Sequence, residues 1–593
     1  MSVLINNRFA GSPDEQAMLA DASLDVAWPL IEYFTTLVRE SGSDDERKAF
    51  TYLRDQLDGL GIPYRFFEPE LFLSVPMSAR VEMNGQSFRA KAQAFSANTP
   101  PKGIGGEVIY VPAVNEDEVA TYVDEPNYLP RRYDVRGKIV LTEGLANPEC
   151  AWDFEERGAI AQVYINPGER IHWGIATTVW GMPDLDSMHR IPNTPVVAIN
   201  RPDGDKLVAA AKAGRLTLTV HSLSDHGWKK VPLIVAEVRG YEEPERFVLA
   251  HGHLDSWGVG GGDNAVGNAA LLELARVFWK HRHRLRRSIR LAWWPGHSTG
   301  RYAGSTWYAD TFALDLSENC IAQVNIDSPG CRWADAFHNI SWMSETAAFA
   351  QQAIKDVTGL TATGGRAHRA GDYSFNNIGI SSFFMLLSSM SDEVAAAKGY
   401  YAVGGCGGNI EWHTEDDTIA IADKDNLLRD IKIYITALSR VANADVFPFD
   451  FLALADEFAE TLNRYEQAAG GRFDFSPAKS DVRALRMALE DFYEGAARAV
   501  VAGDATSCAR YNGAMLRLAR ILVPINYGRE GRFRHDPASP IRELPDLAPA
   551  LTLAQLSPDT DIAHFTVAHL IRGQNRLLDA LWQAKREVSL AVA

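Results

Sequence analysis

Between residues 229 and 330, apolar strand-like runs alternate with a helical segment in an order that leaves few ways to fold. VPLIVAEVRG and ERFVLAHGHLDSW read as strands, NAALLELARVFWK as a helix, and RRSIRLAWW and IAQVNIDSPG as further strands. Strand, helix and strand in succession imply right-handed crossovers. The fold class expected is therefore α/β, with a mostly parallel mixed sheet flanked by helices on both faces. Ligands of such sheets sit outside the carboxyl ends of the strands, which is where chemistry is to be sought.

The rest of the chain differs in texture. Residues 27–61 give two amphipathic helices, the second opened by Ser43-Asp44-Asp45 and closed by Gly61. Residues 70–228 break into short β-rich runs punctuated by Gly and Pro, such as GGEVIYVPA, GKIVLTEG and NTPVVAIN. After 446 the pattern turns helical apart from the proline-rich RHDPASPIRELPDLAPAL. Four units are expected: 1–69 as the N-terminal part of the α/β domain, 70–228 as an insert, 229–445 as the main α/β domain and 446–593 as a helical domain. A chain of 593 residues exceeds one hydrophobic core, which agrees with such a division.

Charge and composition remove whole classes of function. A formal net charge of −17 disfavours nucleic acid and anionic membrane as partners, since both need a basic footprint. The one dense basic run, KHRHRLRRSIR at 280–290, reads as a solvated helix end. No run of about 18 apolar residues is present to span a bilayer. The start MSVLINNRFAGSPDEQAML lacks the basic flank and apolar stretch of a secretory signal, and the five cysteines have no paired spacing. A cytoplasmic location is expected from these features.

Three strand ends gather residue types that hold a divalent metal. In HGHLDSWGVGGGDN, His253 ends a buried run, Asp255 follows two residues later to orient it, and glycines allow Asp263 to return to the same point. Asp327 ends the strand in QVNIDSPG, and His413 lies among acidic neighbours in EWHTEDDT. Singly, each has a plain structural explanation as a cap or a core polar group. Together, two histidines and two aspartates at strand ends form an N/O donor set suited to zinc, with manganese or cobalt as alternatives.

The ordered set HGHLDSW, GGDNAVGNAALLELAR, NIDSPG and WHTEDDT resembles the zinc metallopeptidase family that contains aminopeptidases, glutamate carboxypeptidase II and the transferrin receptor. DVRGKIVLTEG, ERGAIAQVYINPGE and IPNTPVVAINRPDGDKL resemble the protease-associated domain inserted in larger members, and the C-terminal helices stand where those members carry a dimerisation domain. The resemblance implies two zinc ions, bridged by Asp263, with His253 and Asp327 completing one site and His413 in the other. It also implies a homodimer and a small peptide or amide substrate.

The family's remaining two roles belong to adjacent glutamates, a general base and a ligand of the second zinc. Here that loop reads WWPGHSTGRYAGS, which sets Gly296 at the base position and His297 at the ligand position. Imidazole is a good zinc ligand, but glycine moves no proton. General acid–base assistance contributes about 10²–10⁴ in rate, so a substitute is needed. The candidates are His297 itself, Glu411 or Glu415, and Tyr302. Arg366, His368 and Arg369 in GGRAHRAGDYSF are candidates for a substrate carboxylate. Trp257, Trp293, Trp294 and Trp412 are candidates for an aromatic wall, with core packing as the alternative. The function expected is metal-dependent hydrolysis of an amide bond in a small peptide or amino-acid conjugate. The alternatives are a catalytically inactive, receptor-like binding protein, and an enzyme for a non-peptide or cyclic amide.

Overall fold

The computed structural model describes residues 7–112 and 133–593; Met1–Asn6, part of the N-terminal stretch considered above, lie outside them. Twelve strands build two β structures. β1 (Tyr64–Phe67), β9 (Leu233–Val238), β10 (Glu243–His253), β11 (Arg287–Trp294) and β12 (Cys320–Asn325) form a five-stranded sheet in the order β1-β9-β11-β10-β12. β2 (Glu70–Met83), β3 (Gln86–Ala92), β4 (Ile104–Val111), β5 (Ile139–Glu143), β6 (Ala161–Ile165), β7 (Val196–Ile199) and β8 (Thr217–Lys230) close into a barrel in the order β2-β3-β7-β6-β5-β4-β8.

The expectation of a mostly parallel sheet is corrected by the strand directions. β10 runs parallel to β11 and β12, whereas β9 is antiparallel to both β11 and β1. Within this sheet parallel pairing is confined to β10, β11 and β12, where a long connection between strands leaves room for a helical crossover. β9 enters the sheet straight from β8 of the barrel, with only two residues between them, and meets β11 head to tail.

Helix Val266–Lys280 connects β10 to β11, and its residues through Phe278 are buried but for Arg276. With helix Lys424–Asn443 it contributes to the principal core against Val248, Ala250, Leu291 and Trp293. The opposite sheet face buries Leu249, Ala292 and Trp294 against Tyr308 and Phe375. Successive strand side chains point to opposite faces, so Trp293 and Trp294 belong to two different cores. Neither lines the cavity described below.

The second N-terminal helix begins and ends where its caps predict. Ser43 Oγ accepts from Glu46 N, and Gly61 closes helix Asp44–Leu60 in the left-handed conformation that glycine adopts at little cost. The long helices Phe451–Ala469, Ser476–Ala502, Ala505–Tyr527 and Asp561–Val592 form the C-terminal region. Among the described residues no helix is long and apolar enough to cross a membrane.

Candidate metal centre

The carboxyl ends of the three parallel strands deliver the site. β10 ends on His253, β12 ends two residues before Asp327, and the loop after β11 carries His297. His253 Nδ1 lies 2.9 Å from the backbone carbonyl of Asp255, and His413 Nδ1 lies 3.0 Å from the carbonyl of Trp173. A carbonyl only accepts, so each Nδ1 carries a proton and each ring turns its Nε2 inward.

Both Nε2 atoms face Asp263. His253 Nε2 is 2.9 Å from its Oδ1, and His413 Nε2 is 3.0 Å from its Oδ2. Asp327 Oδ2 lies 3.7 Å from His253 Nε2. Despite the short separation, His253 Nε2 and Asp263 Oδ1 make no hydrogen bond with each other or with any other described group. Two buried acceptors turned to one another are repulsive unless a proton or a cation lies between them. Two ligands of a tetrahedral zinc with bonds of about 2.0–2.1 Å stand about 3.3 Å apart. The separations here bracket that value, so the donor set fits such an ion. The ligand atoms of His253, His297 and Asp327 also lie within 4.8 Å of one another.

The carboxylates of the cluster call for positive charge between them. Burial alone lowers the pKa of His253, but the carboxylates of Asp263 and Asp327 override it and hold it well above the ordinary range. Burial alone raises that of Asp263, but His253 and His413 draw it well below the ordinary carboxylate range. Burial lowers His413.

The loop that carries Asp263 is fixed from two sides. Asp417 accepts from Gly262 N at 2.6 Å and Asp263 N at 3.0 Å. A Cβ on Gly261 would lie 2.1 Å from the carbonyl oxygen of Thr418, so only glycine fits that approach. Asn264 Nδ2 donates to Ile326 O, its Oδ1 accepts from Ser328 N, and Asn268 Nδ2 donates to His253 O. These bonds tie the Asp263 loop to the ends of β10 and β12. Arg39 is fully buried beneath, donating to the carbonyls of Phe34, Leu254, Val259 and Gly260.

Asp255 is expected to orient His253 through its carboxylate; the structure assigns that task to its backbone carbonyl. The carboxylate instead receives His297 N–H at 3.1 Å on each oxygen and so anchors the loop after β11. Burial raises the pKa of this carboxyl. In the same loop Gly296 adopts φ +68°, and a Cβ there would face Leu73, Ala303 and Leu71. A side chain at this position starts toward aliphatic contacts. His297 stacks on His253 with ring centroids 3.8 Å apart and 17° between planes, and its Nδ1 lies 2.9 Å from Asp372 Oδ2. Asp372 Oδ1 accepts from Ser305 Oγ at 2.8 Å. Buried Arg301 and Tyr302 both have positive φ, 45° and 74°, which brings Tyr302 within 4.9 Å of the His297 ring, edge to face.

Other anticipated residues lie differently. Glu411 turns to Arg332 Nη2 at 2.5 Å, and Glu415 pairs with Arg89 and Lys91. A cavity of about 720 Å³ opens over His297, Tyr302 and Asp327, and Arg366, His368 and Arg369 line it with Pro540 and Ile541. Yet Arg366 donates to Glu457 and to the carbonyl of Asn526, while Arg369 donates to Asp536 O and lies over Trp180. Both guanidiniums fasten the C-terminal region, and His368 is exposed on the same wall. Of the four tryptophans, Trp412 stacks on His413 at 3.6 Å and Trp257 meets it edge-on.

Arg39, Asp372 and Asp417 are absent from the sequence-derived set. Asp417 lies in the EWHTEDDT motif and Asp372 beside the arginines of GGRAHRAGDYSF, but neither spacing reveals which acidic residue turns inward.

Residues 234–437 match peptidase family M28. Over this segment the chain is similar to that family. The chain is 25% identical over 286 residues to carboxypeptidase Q of Bos taurus, covering 46% of this chain and 57% of that protein. It is 27% identical over 281 residues to leucine aminopeptidase 2 of Arthroderma otae, covering 46% and 51%. The chain thus spans about half the length of these curated relatives. Its fold is that of the aminopeptidase from Aneurinibacillus sp. strain AM-1, at 20% identity and a TM-score of 0.54 over 72% of this chain and 96% of that one. The zinc aminopeptidase from Bacillus subtilis gives 17% identity and a TM-score of 0.53 over 70% and 94%.

Proposed function

We propose that this M28-like segment hydrolyses an amide bond in a small peptide or amino-acid conjugate, using a pair of metal ions bridged by Asp263. The observation that carries this reading is the division of one carboxylate, Oδ1 toward His253 and Oδ2 toward His413. His253 and Asp327 would hold one ion and His413 the other. Imidazole-rich donors with carboxylates favour zinc over magnesium or calcium. When bound, the metal supplies a Lewis acid that polarises the scissile carbonyl and activates water.

The protein's own groups do the rest. The cavity over Asp327 and His297 has the volume of a small-ligand site and would seat the amide beside the cluster. Asp372 holds the proton on His297 Nδ1, so His297 Nε2 presents a lone pair. We take this pair to stand in for the missing glutamates, with His297 as a further metal ligand because its ligand atom groups with those of His253 and Asp327. A second reading, His297 as the proton acceptor, is favoured by its place in the cavity wall. Loss of metal in the His297→Ala variant supports the first; retained metal with lost turnover supports the second. The barrel of β2 to β8 is read as the protease-associated insert that the resemblance implies.

The direct test is hydrolysis of a mixed panel of dipeptides, acylated amino acids and cyclic amides by the zinc-reconstituted protein and its His253→Ala variant. Turnover of at least one class by the wild type, lost by a factor of about 10³ or more in the variant, is expected. Equal activity in both overturns the reading. A metal-replete protein inactive on the whole panel favours the receptor-like alternative.

A further inference from the structure

The metal centre does not rest on the M28-like segment alone. Residues 171–182, which lie between β6 and β7 in the barrel insert, run beneath the cluster and are almost wholly buried over 171–181. The segment is tied to the turn after β3, since Ala94 N donates to Gly174 O and Ala176 N to Ala94 O, each at 2.8 Å.

At one end it grips His413. Trp173 N donates to His413 O at 2.9 Å, and His413 Nδ1 donates to Trp173 O at 3.0 Å. One residue earlier, His172 Nδ1 lies 2.7 Å from the carbonyl of Trp412, so Nδ1 carries the proton and Nε2 accepts from Tyr401 OH at 2.8 Å. Burial keeps this imidazole neutral, pulling its pKa down to about 3. The grip acts on a residue held at φ +56°, a left-handed conformation unfavourable for a residue with a side chain.

At the other end the same segment reaches the His297–Asp372 pair. Trp180 Nε1 donates to Ser374 Oγ at 2.9 Å, Ser374 and Ser305 share a bond of 2.9 Å, and Ser305 donates to Asp372. The Trp180 ring packs 4.4 Å from Tyr302, and Gly181 N donates to Arg301 O at 2.6 Å, bracing the two left-handed residues of the His297 loop.

We propose that residues 171–182 of the insert form a strap that sets the geometry of both halves of the metal centre, with His172 a positioning residue for His413 and Trp180 a positioning residue for the His297–Asp372 pair. The proposal rests on the metal-dependent reading above. It makes the insert part of the catalytic apparatus, so removing one imidazole about a residue away from the ligand changes how tightly an ion is held.

Zinc affinity of the full-length protein, measured by competition with a chromophoric chelator, tests it. The proteins are the wild type, His172→Ala, His172→Asn and Trp180→Phe, each with a thermal melt. Asparagine keeps a donor near the place of Nδ1, and phenylalanine keeps the ring of Trp180 while removing its N–H. The expected result is a dissociation constant raised about 10- to 100-fold for one of two ions in His172→Ala, largely restored in His172→Asn. Trp180→Phe is expected to weaken the other ion by a smaller factor. A folded His172→Ala or Trp180→Phe whose two affinities stay within twofold of the wild type overturns the strap while leaving the metal reading intact. Equal weakening of both ions that follows a lowered melting temperature, unrelieved by asparagine, also overturns it. If His172→Ala does not fold, His172→Asn and Trp180→Phe decide the matter. A wild type that takes up no zinc overturns both readings.

Discussion

The His297 ring lies on that of His253, centroids 3.8 Å apart and 17° between planes, so the loop after β11 and the end of β10 meet face to face. Its Nδ1 is committed to Asp372, which is fully buried and itself held by Ser305. Burial alone raises the Asp372 carboxyl, but His297 draws it below the ordinary range, as a charge-assisted pair should. Asp372→Asn removes the charge while keeping the shape. It is expected to lower metal affinity or turnover about 10- to 100-fold, as loss of a carboxylate behind a histidine ligand typically does. Chelator competition and initial rates on the variant check this; unchanged values remove Asp372 from the site.

The Asp263 loop offers a test by backbone rather than by side chain. A methyl at Gly261 meets the Thr418 carbonyl at 2.1 Å, so Gly261→Ala must displace either the loop or the Thr418 segment. Metal affinity is expected to fall at least tenfold, with a modest drop in melting temperature. Removal of Asp417, which holds the loop through Gly262 N and Asp263 N, is expected to do the same in Asp417→Ala. Isothermal titration with zinc reads both variants.

Arg366 and Arg369 fasten the C-terminal region to the cavity wall. Substituting Arg369, whose donors serve buried carbonyls, leaves those groups unpaired at about 1–3 kcal/mol each. Arg369→Ala is therefore expected to lower the urea midpoint clearly while changing KM for a carboxylate-bearing substrate by less than threefold. A large rise in KM with unchanged stability reinstates substrate binding.

Stability should also respond to pH through a group distant from the metal. Burial raises the pKa of Glu345 to about 7, against an ordinary value of 4.5, despite a bond from Ser381. The folded state thus binds a proton that the unfolded chain has released between pH 4.5 and 7. The stability from this group is full below pH 4.5, falls as pH rises to about 7 and is gone above. The shift corresponds to a few kcal/mol. Glu345→Gln is expected to flatten this slope, so the wild type falls relative to the variant between pH 5 and 7.5 in urea melts. Parallel curves contradict the assignment.

The sequence conveys periodicity and strand ends well. His253, Asp263, Asp327 and His413 are readable because each follows an apolar run or a glycine loop, and Ser43 and Gly61 because caps are local chemistry. Three things escape it. The antiparallel course of β9 depends on how the insert returns the chain to the sheet, which no local pattern encodes. The inward turn of Asp372 and Asp417 depends on loops more than 100 residues from their partners on Gly262 and Asp263 or, for Asp372, on a histidine 75 residues away. Arg366 and Arg369 look like ligand groups beside a cavity because sequence shows their charge but not the carbonyls of residues 526–537 that consume it.

The central claim is a two-ion centre bridged by Asp263 and completed by His297. The measurement that tests it most directly is metal content by elemental analysis after zinc reconstitution and desalting, in the wild type, Asp263→Ala and His297→Ala. About two ions per chain are expected in the wild type, with both lost in Asp263→Ala and about one retained in His297→Ala. A wild type that holds no metal, or an Asp263→Ala variant that holds as much as the wild type, contradicts it.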